Sequence, residues 1–180
     1  GSLHLEALAG NPDAQDSLNA NIVIADEIHA YKNPKQYNIL KEATKAYTNK
    51  LVIGITTAGD NTTSFCYQRL KYCQKILDGL VQDDAYFVFI CKADEDEDGN
   101  VDYTNPIEHE KANPSYGVTI RPDDIMNDAR QAQNDPQQRK DFFAKSLNIY
   151  TSAMKAYFNL IEFQVNDKKC QERLGIAGLS

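Results

Sequence analysis

Two adjacent carboxylates, Asp26 and Glu27, follow the apolar run Ile22-Val23-Ile24-Ala25. This run favours a strand that is buried on both faces, as in a parallel sheet. Carboxylates at the end of such a strand are costly to bury unless a positive charge meets them. In nucleoside triphosphatases that charge is Mg²⁺, which Asp26 would hold through a water while Glu27 polarises the water that attacks the γ-phosphate. The alternative is that the pair simply ends a strand in solvent.

A second polar strand end, Thr56-Thr57-Ala58, follows the apolar run Leu51 to Ile55, after a segment long enough for one crossover helix. Parallel strands connected in this way end at the same edge of the sheet, where open α/β folds bind ligands. Hydroxyl side chains at that edge can sense whether a γ-phosphate is present. The alternative is a polar strand end that caps the next helix. His29, just after the carboxylate pair, either contacts phosphate or this loop, or makes a plain hydrogen bond.

The elements that must position these residues alternate along the first half of the chain. Apolar patterns predict strands over 22–25, 51–55 and 86–91, with helices over 33–47 and 63–80 between them. This alternation is typical of an α/β sheet with crossover helices. Beyond residue 92 the pattern changes to an acidic loop, helices over 122–133 and 136–148, and a mixed segment over 156–174. The sequence therefore predicts part of a parallel sheet followed by a small, mainly helical subdomain.

The charge of the chain is unevenly distributed. Of the 180 residues, 26 are Asp or Glu and 19 are Lys or Arg, which gives a net charge of −7. Eight of the acids lie between Asp94 and Glu110, leaving 19 basic against 18 acidic residues elsewhere, so the negative charge does not exclude a protein that handles DNA. Asp94, Asp96 and Asp98 occupy alternating positions of an EF-hand-like loop, but Asn105 replaces the bidentate Glu. Binding of a divalent ion there is left open.

Two further observations narrow the class of protein. The longest apolar runs are far shorter than the roughly 20 residues needed to span a bilayer, so no membrane partner is expected. The four cysteines form no CxxC pair, which argues against a zinc site or a disulfide framework and favours reduced thiols in an intracellular setting.

Four ordered sequence blocks resemble the large subunit of tailed-phage terminases, the ATP-driven motors that package DNA. They are Asp26-Glu27-Ile28-His29-Ala30, Gly54-Ile55-Thr56-Thr57-Ala58-Gly59-Asp60, Ala112-Asn113-Pro114-Ser115-Tyr116-Gly117 and Leu147-Asn148. The resemblance covers most of the chain, and it implies a RecA-like sheet with Mg²⁺ and ATP as cofactors. It also implies that Asp26 is the Walker B aspartate, Glu27 the catalytic glutamate, and Thr56-Thr57-Ala58 the coupling motif that links hydrolysis to DNA movement.

The same resemblance implies a division of the chain. Residues 1–92 would be the C-terminal half of the ATPase core, 93–174 an acidic loop with a helical linker subdomain, and 175–180 the lead-in to an absent nuclease domain. No GxxxxGKS or GxxxxGKT phosphate loop occurs in the 180 residues, and the family places it upstream. The chain alone is therefore expected to be inactive.

The resemblance implies partners as well: double-stranded DNA, the terminase small subunit and the portal, in the cytoplasm of a bacterial host. Without a neighbouring strand that bears the phosphate loop, the strand at 22–25 is expected to leave an apolar edge, which the N-terminal segment or a second copy would cover. Two other functions stay open. One is a helicase-type ATP-dependent translocase, and the other is a non-enzymatic interaction module in which Asp26-Glu27 merely ends a strand.

Overall fold

The structure is a computed structural model that describes residues 4–8 and 18–151. Its elements, in chain order, are β1 (Ile22–Ala25), α1 (Lys35–Ala43), β2 (Leu51–Gly54), α2 (Phe65–Leu77), α3 (Pro106–Ala112), α4 (Pro122–Asn134) and α5 (Pro136–Ser146). A short 3-10 turn, Ile28–Ala30, follows β1. Parallel strands with a crossover helix come first and helices dominate the remainder, so the predicted fold class is confirmed.

The sheet has one covered face. β1 and β2 pair in parallel with Ala25 opposite Gly54, and α1 forms the crossover between them. Val23 and Ala25 are buried in a core that also contains Tyr37 and Leu40 of α1 and Cys66 of α2. Because burial of apolar surface is the main favourable term in folding, this core holds the crossover helix against the sheet.

The opposite face of the sheet is accessible. Ile22, Ile24 and Leu51 are 52%, 56% and 51% exposed. The prediction of a first strand buried on both faces is therefore wrong for the described residues, since their core lies on one side of the sheet only. Leu18 and Ala20 pack against that core. The apolar edge was expected to be covered by the N-terminal segment or by a second copy of the chain, and residues 1–3 and 9–17 of that segment lie outside the described part.

The third predicted strand, 86–91, is wrong as well. These residues form no strand, because no other described segment pairs with them. Tyr86 packs edge-on against Tyr72 of α2, with ring centroids 5.6 Å apart, whereas Phe87 and Phe89 are 89% and 72% exposed. A β-favouring sequence becomes a strand only when a neighbour satisfies its backbone N–H and C=O groups.

Packing of the Cα trace divides the described chain into two compact units. The first contains the residues up to Thr57 together with Thr63–Val88, and the second contains Ala58–Thr62 and the residues from Phe89 onward. In the first unit both predicted helices are shorter than expected. Ser64 caps α2 by accepting a hydrogen bond from the N–H of Tyr67 at 3.2 Å.

The second unit is built on α4 and α5, which the sequence predicts to within two residues at each end. Proline occupies the first turn of both helices, and Asp135 caps α5 by accepting hydrogen bonds from the N–H groups of Gln137 and Gln138 at 2.8 and 3.3 Å. The helix α3, over Pro106–Ala112, was not predicted. The mixed segment 156–174 lies outside the described residues.

Two asparagines connect the elements of the second unit. They come from the sequence blocks 112–117 and 147–148, two of the four that carry the family resemblance. The side-chain amide of Asn113 donates to the carbonyls of His109 and Ser146, both at 2.8 Å. That of Asn148, whose φ is 55°, donates to Cys91 and Ala112 at 3.0 and 3.2 Å. These two blocks thus have a structural role in the unit, since each ties chain segments that are distant in sequence. None of the helices described is long and apolar enough to cross a membrane.

Candidate functional site

The two polar strand ends emerge at one edge of the sheet. Asp26 and Glu27 follow β1, and the ladder continues past both strands. The N–H of Ile55 donates to the carbonyl of Ala25 at 2.8 Å, and the N–H of Ile28 donates to that of Ile55 at 3.4 Å. The carboxylate pair and the residues after β2 are therefore held side by side, which is the arrangement that the sequence predicts.

Glu27 has a strained backbone. Its φ and ψ are 51° and 46°, in the left-handed region, which costs a residue with a side chain about 1–2 kcal/mol. The Glu27 N–H donates to Oδ1 of Asp26 at 2.9 Å, and the chain then enters the turn that begins at Ile28. Strained residues of this kind concentrate at functional sites, so the conformation singles out Glu27 among the acids of this unit.

His29 bridges the two strand ends. Its Nδ1 atom lies 3.0 Å from Oε2 of Glu27, 3.2 Å from Oγ1 of Thr56 and 3.5 Å from Oγ1 of Thr57. The backbone N–H of His29 also donates to Oγ1 of Thr56, at 3.0 Å. Of the contacts considered for His29, the one with the loop after β2 is present. Sequence spacing alone does not reveal that the same ring also contacts Glu27.

Thr56 has all its hydrogen-bonding capacity in use. Its hydroxyl donates to the carbonyl of Thr57 at 2.8 Å, while Oγ1 accepts from the His29 N–H and is 3.8 Å from Sγ of Cys66. The orientation of this hydroxyl is therefore fixed by the turn that carries His29 and by α2, which carries Cys66. Ala58 is buried and belongs to the second compact unit, so the three residues of the predicted coupling motif are divided between the two units.

Close packing at Gly54 supports this arrangement. A Cβ atom added at Gly54 would lie 2.7 Å from Cδ1 of Ile28, nearer than real Cβ contacts come. Ile28 is buried and immediately precedes His29. Because Gly54 has no side chain, Ile28 can pack over the end of β2. This packing sets the distance between the strand end and the turn that carries His29.

Asp26 is suited to hold a magnesium ion. Mg²⁺ keeps several waters and is usually bound by one or two carboxylates together with substrate phosphates. Asp26 is exposed at the sheet edge, and its Oδ1 accepts a hydrogen bond from the adjacent N–H. Within residues 4–8 and 18–151 no group of three or more His, Cys, Asp or Glu side chains is arranged to bind a metal ion by itself. An ion at Asp26 would therefore need ligands other than the described side chains.

The acidic loop is closed on itself. Asp96 accepts hydrogen bonds from the N–H groups of Asp98 and Asn100 at 3.0 and 2.7 Å and from the Asn100 side chain at 3.1 Å. The bonds from Asn100 lower the pKa of the Asp96 carboxyl. These bonds make Asp96 the organiser of a turn, and among the described residues no group of three or more acidic side chains is arranged to hold a metal ion.

Comparisons with known proteins give two family models that match successive parts of the chain. The model described as "Terminase large subunit, ATPase domain" matches residues 2–75. The model described as "Terminase large subunit, endonuclease domain" matches residues 80–178. The second match covers the part for which the sequence predicts a helical linker, and the predicted domain boundaries stay a prediction.

The chain is also similar to one curated protein and to one solved structure. The chain is 32% identical over 154 residues to "Protein YmfN" of Escherichia coli (strain K12), which covers 86% of this chain and 33% of that protein. The structure resembles the crystal structure of the HK97 bacteriophage large terminase with a TM-score of 0.63 and 21% identity, over 75% of this chain and 27% of that one. The chain thus spans about a third of the first relative's length and about a quarter of the second's.

Proposed function

This chain belongs to the terminase large subunit family, and from that premise we propose that it forms part of an ATP-driven motor that packages double-stranded DNA into procapsids. The observation that carries the proposal is the group formed by Glu27, His29, Thr56 and Thr57 at one end of two parallel strands. This is the edge where α/β nucleotide-binding proteins place their ligands. The match of residues 2–75 to the ATPase domain covers the whole group.

In this proposal Asp26 and Glu27 divide the work of hydrolysis. Asp26, which is exposed at the sheet edge, would hold Mg²⁺ through a water. Magnesium, when bound, neutralises charge on the phosphates of ATP. Glu27 acts as the general base that orients and polarises the attacking water. Its carboxylate is 59% exposed and contacts His29, so it is accessible to a water at the sheet edge.

Thr56, Thr57 and Ala58 act as the coupling motif in this proposal. Support comes from the hydroxyls of Thr56 and Thr57, which share the His29 ring with Glu27. A change at Glu27 on hydrolysis would thus reach the loop that follows β2.

The partners of the motor are double-stranded DNA, the terminase small subunit and the portal, in the cytoplasm of a bacterial host that carries the phage or prophage. The charge of the chain is compatible with DNA, since the acids in excess lie in one segment, 94–110. Residues outside that segment are nearly balanced, with 19 basic and 18 acidic side chains. Contacts with phosphates would therefore depend on local clusters of Lys and Arg.

The test is ATP hydrolysis by the protein as its gene encodes it, with Mg²⁺ and DNA present. Glu27→Gln should lower kcat by roughly 10²- to 10⁴-fold, the usual contribution of a general base. Glu97→Gln, the same change in the exposed acidic loop, is the matched control and should hydrolyse ATP at the wild-type rate. Equal rates for Glu27→Gln and wild type would refute the proposed role of Glu27.

A further inference from the structure

The Nδ1 atom of His29 faces side-chain oxygen atoms of Glu27 and Thr56. Oε2 of Glu27 is 3.0 Å from Nδ1, and Oγ1 of Thr56 is 3.2 Å from the same atom. The hydroxyl proton of Thr56 is already donated to the carbonyl of Thr57 at 2.8 Å. Oε2 of Glu27 therefore presents a lone pair to Nδ1, and Thr56 has no proton left to donate to it.

This environment fixes where the ring carries its proton. An unprotonated Nδ1 would bring its own lone pair against a carboxylate oxygen at 3.0 Å, which is repulsive, whereas a protonated Nδ1 donates to that oxygen. A neutral imidazole has one N–H, and its position follows from the partner that the ring meets. A form of His29 with a proton on Nδ1, donated to the Glu27 carboxylate, is therefore the one that this geometry favours.

We propose that His29 is a positioning residue, which orients the Glu27 carboxylate through an Nδ1–H···Oε2 hydrogen bond and connects it to Thr56 and Thr57. This inference rests on the proposed function, in which Glu27 is the general base. The backbone N–H of His29 donates to Thr56 while its ring meets Glu27, so one residue links the base to the loop after β2. A displacement of Thr56 would move the ring and, with it, the carboxylate.

The pair contributes little to folding. The side chains of His29 and Glu27 are 28% and 59% exposed, and polar contacts as exposed as this contribute little to stability. The left-handed backbone of Glu27 also lowers the stability of the fold. A contact of this kind is explained better by the geometry it imposes on a carboxylate than by the stability it provides. Loss of His29 should therefore change the rate of hydrolysis much more than the melting temperature.

Three substitutions at His29 separate positioning from a merely structural role. The amide nitrogen of Asn is attached at the same place along the side chain as Nδ1, whereas that of Gln reaches the place of Nε2. His29→Leu and His29→Gln should lower kcat by about 10- to 100-fold, the size of loss that a misplaced catalytic group causes, with KM for ATP nearly unchanged. His29→Asn should recover most of the lost kcat. All three proteins should melt close to the wild-type temperature.

The kinetics are measured on the protein as its gene encodes it, with Mg²⁺-ATP and DNA. If His29→Leu matches wild type, or if His29→Asn is no faster than His29→Leu, the inference is overturned. In a Glu27→Gln background, His29→Leu should have less than about a twofold effect, because the group that His29 positions has been removed. A full effect in that background would also overturn the inference.

A second readout does not depend on activity. Nitrogen-15 NMR of protein labelled on histidine distinguishes a protonated Nδ1 from an unprotonated one at His29, and Glu27→Ala should shift the Nδ1 signal. An unprotonated Nδ1 in the wild-type protein would overturn the inference whatever the kinetics show. If Glu27→Gln hydrolyses ATP normally while Nδ1 is protonated and responds to Glu27→Ala, the proposed function fails and the contact itself stands.

Discussion

The side-chain amide of Asn113 donates a hydrogen bond to the carbonyl of Ser146, 33 residues further along the chain, at 2.8 Å. Its second N–H donates to the carbonyl of His109, also at 2.8 Å, so one buried amide connects the end of α3 with the end of α5. Carbonyls at helix ends have no partner within their helix, and an unsatisfied buried one is costly. Asn113 thus holds two helix ends of the second unit together.

Asn113→Ala should lower the free energy of unfolding by about 1–3 kcal/mol, because it leaves two carbonyls without their donor. Urea denaturation followed by circular dichroism measures the change. Asn127→Ala, on the exposed face of α4, is the matched control and should cost nothing, since Ala favours a helix more than Asn does. A midpoint for Asn113→Ala equal to that of wild type would contradict this role.

Acid should weaken the contact between Asp94 and Lys111. The Lys111 ammonium lies 2.8 Å from Oδ2 of Asp94, and this hydrogen bond lowers the pKa of Asp94 from its usual 3.8. A carboxyl with a lower pKa in the folded chain stabilises the fold fully above pH 3.8, and its contribution is lost as the pH falls through the folded-state pKa. Asp94→Asn should therefore be slightly less stable than wild type at neutral pH, and the difference should shrink below pH 3.8.

Urea titrations over a series of pH values measure this difference. The control is Asp98→Asn, a change of the same kind at an exposed acid in the same loop. The difference in stability between Asp98→Asn and wild type should not shrink in the same way below pH 3.8. A penalty for Asp94→Asn that is equal at neutral pH and well below pH 3.8 would show that the ion pair does not contribute.

Because Ile28 packs over Gly54, we expect Gly54→Ala to be harmful and Ile28→Val to compensate for it. Gly54→Ala places a Cβ atom 2.7 Å from Cδ1 of Ile28, so Ile28 must shift, at a cost of about 1–3 kcal/mol. Because His29 follows Ile28, the shift should also lower ATP hydrolysis. Ile28→Val removes the clashing Cδ1 atom, and the double variant should recover activity relative to Gly54→Ala alone. Thermal melts and ATPase rates are measured for wild type, the two single variants and the double variant. If the losses of the two single variants add in the double variant, the packing explanation is contradicted.

The left-handed backbone of Glu27 should be visible in stability. Glu27→Gly and Glu27→Ala both remove the carboxylate, but only Ala keeps a Cβ atom at a φ of 51°. Glu27→Gly should therefore be more stable than Glu27→Ala by about 1 kcal/mol, with both inactive as ATPases. Glu97, whose φ is not positive, is the control, and there Ala should be at least as stable as Gly. The same order at both positions would argue against strain at Glu27.

The sequence predicts some elements well for local reasons. The helices α4 and α5 follow from Pro122, Asp135 and Pro136, because first-turn prolines and capping acids act within a few residues. The placement of Asp26 beside Thr56 follows from the parallel crossover connection. These features depend on short-range chemistry or on topology, and both can be read from one chain.

Other features depend on contacts that local patterns do not encode. Residues 86–91 have a strand-like composition, but strands need partners, and none of the described segments provides one. The exposure of Ile22 and Ile24 likewise reflects what packs against the sheet, which the composition of β1 does not specify. The left-handed conformation of Glu27 has no sequence signal, since glutamate rarely adopts it. The bridge made by His29 follows from that backbone turn and could not be predicted without it.

The short sheet affects how tightly the site would bind a nucleotide. Within the described residues the sheet consists of β1 and β2, four residues each, and two-stranded sheets are marginally stable by themselves. Sub-global opening that separates the strands would release Glu27, His29 and Thr56 in one step, and amide hydrogen exchange at Ala25 and Ile55 would report it. Only the closed fraction of molecules binds, so the apparent affinity for a nucleotide falls in proportion to the open fraction, and any neighbour that pairs with the sheet raises it.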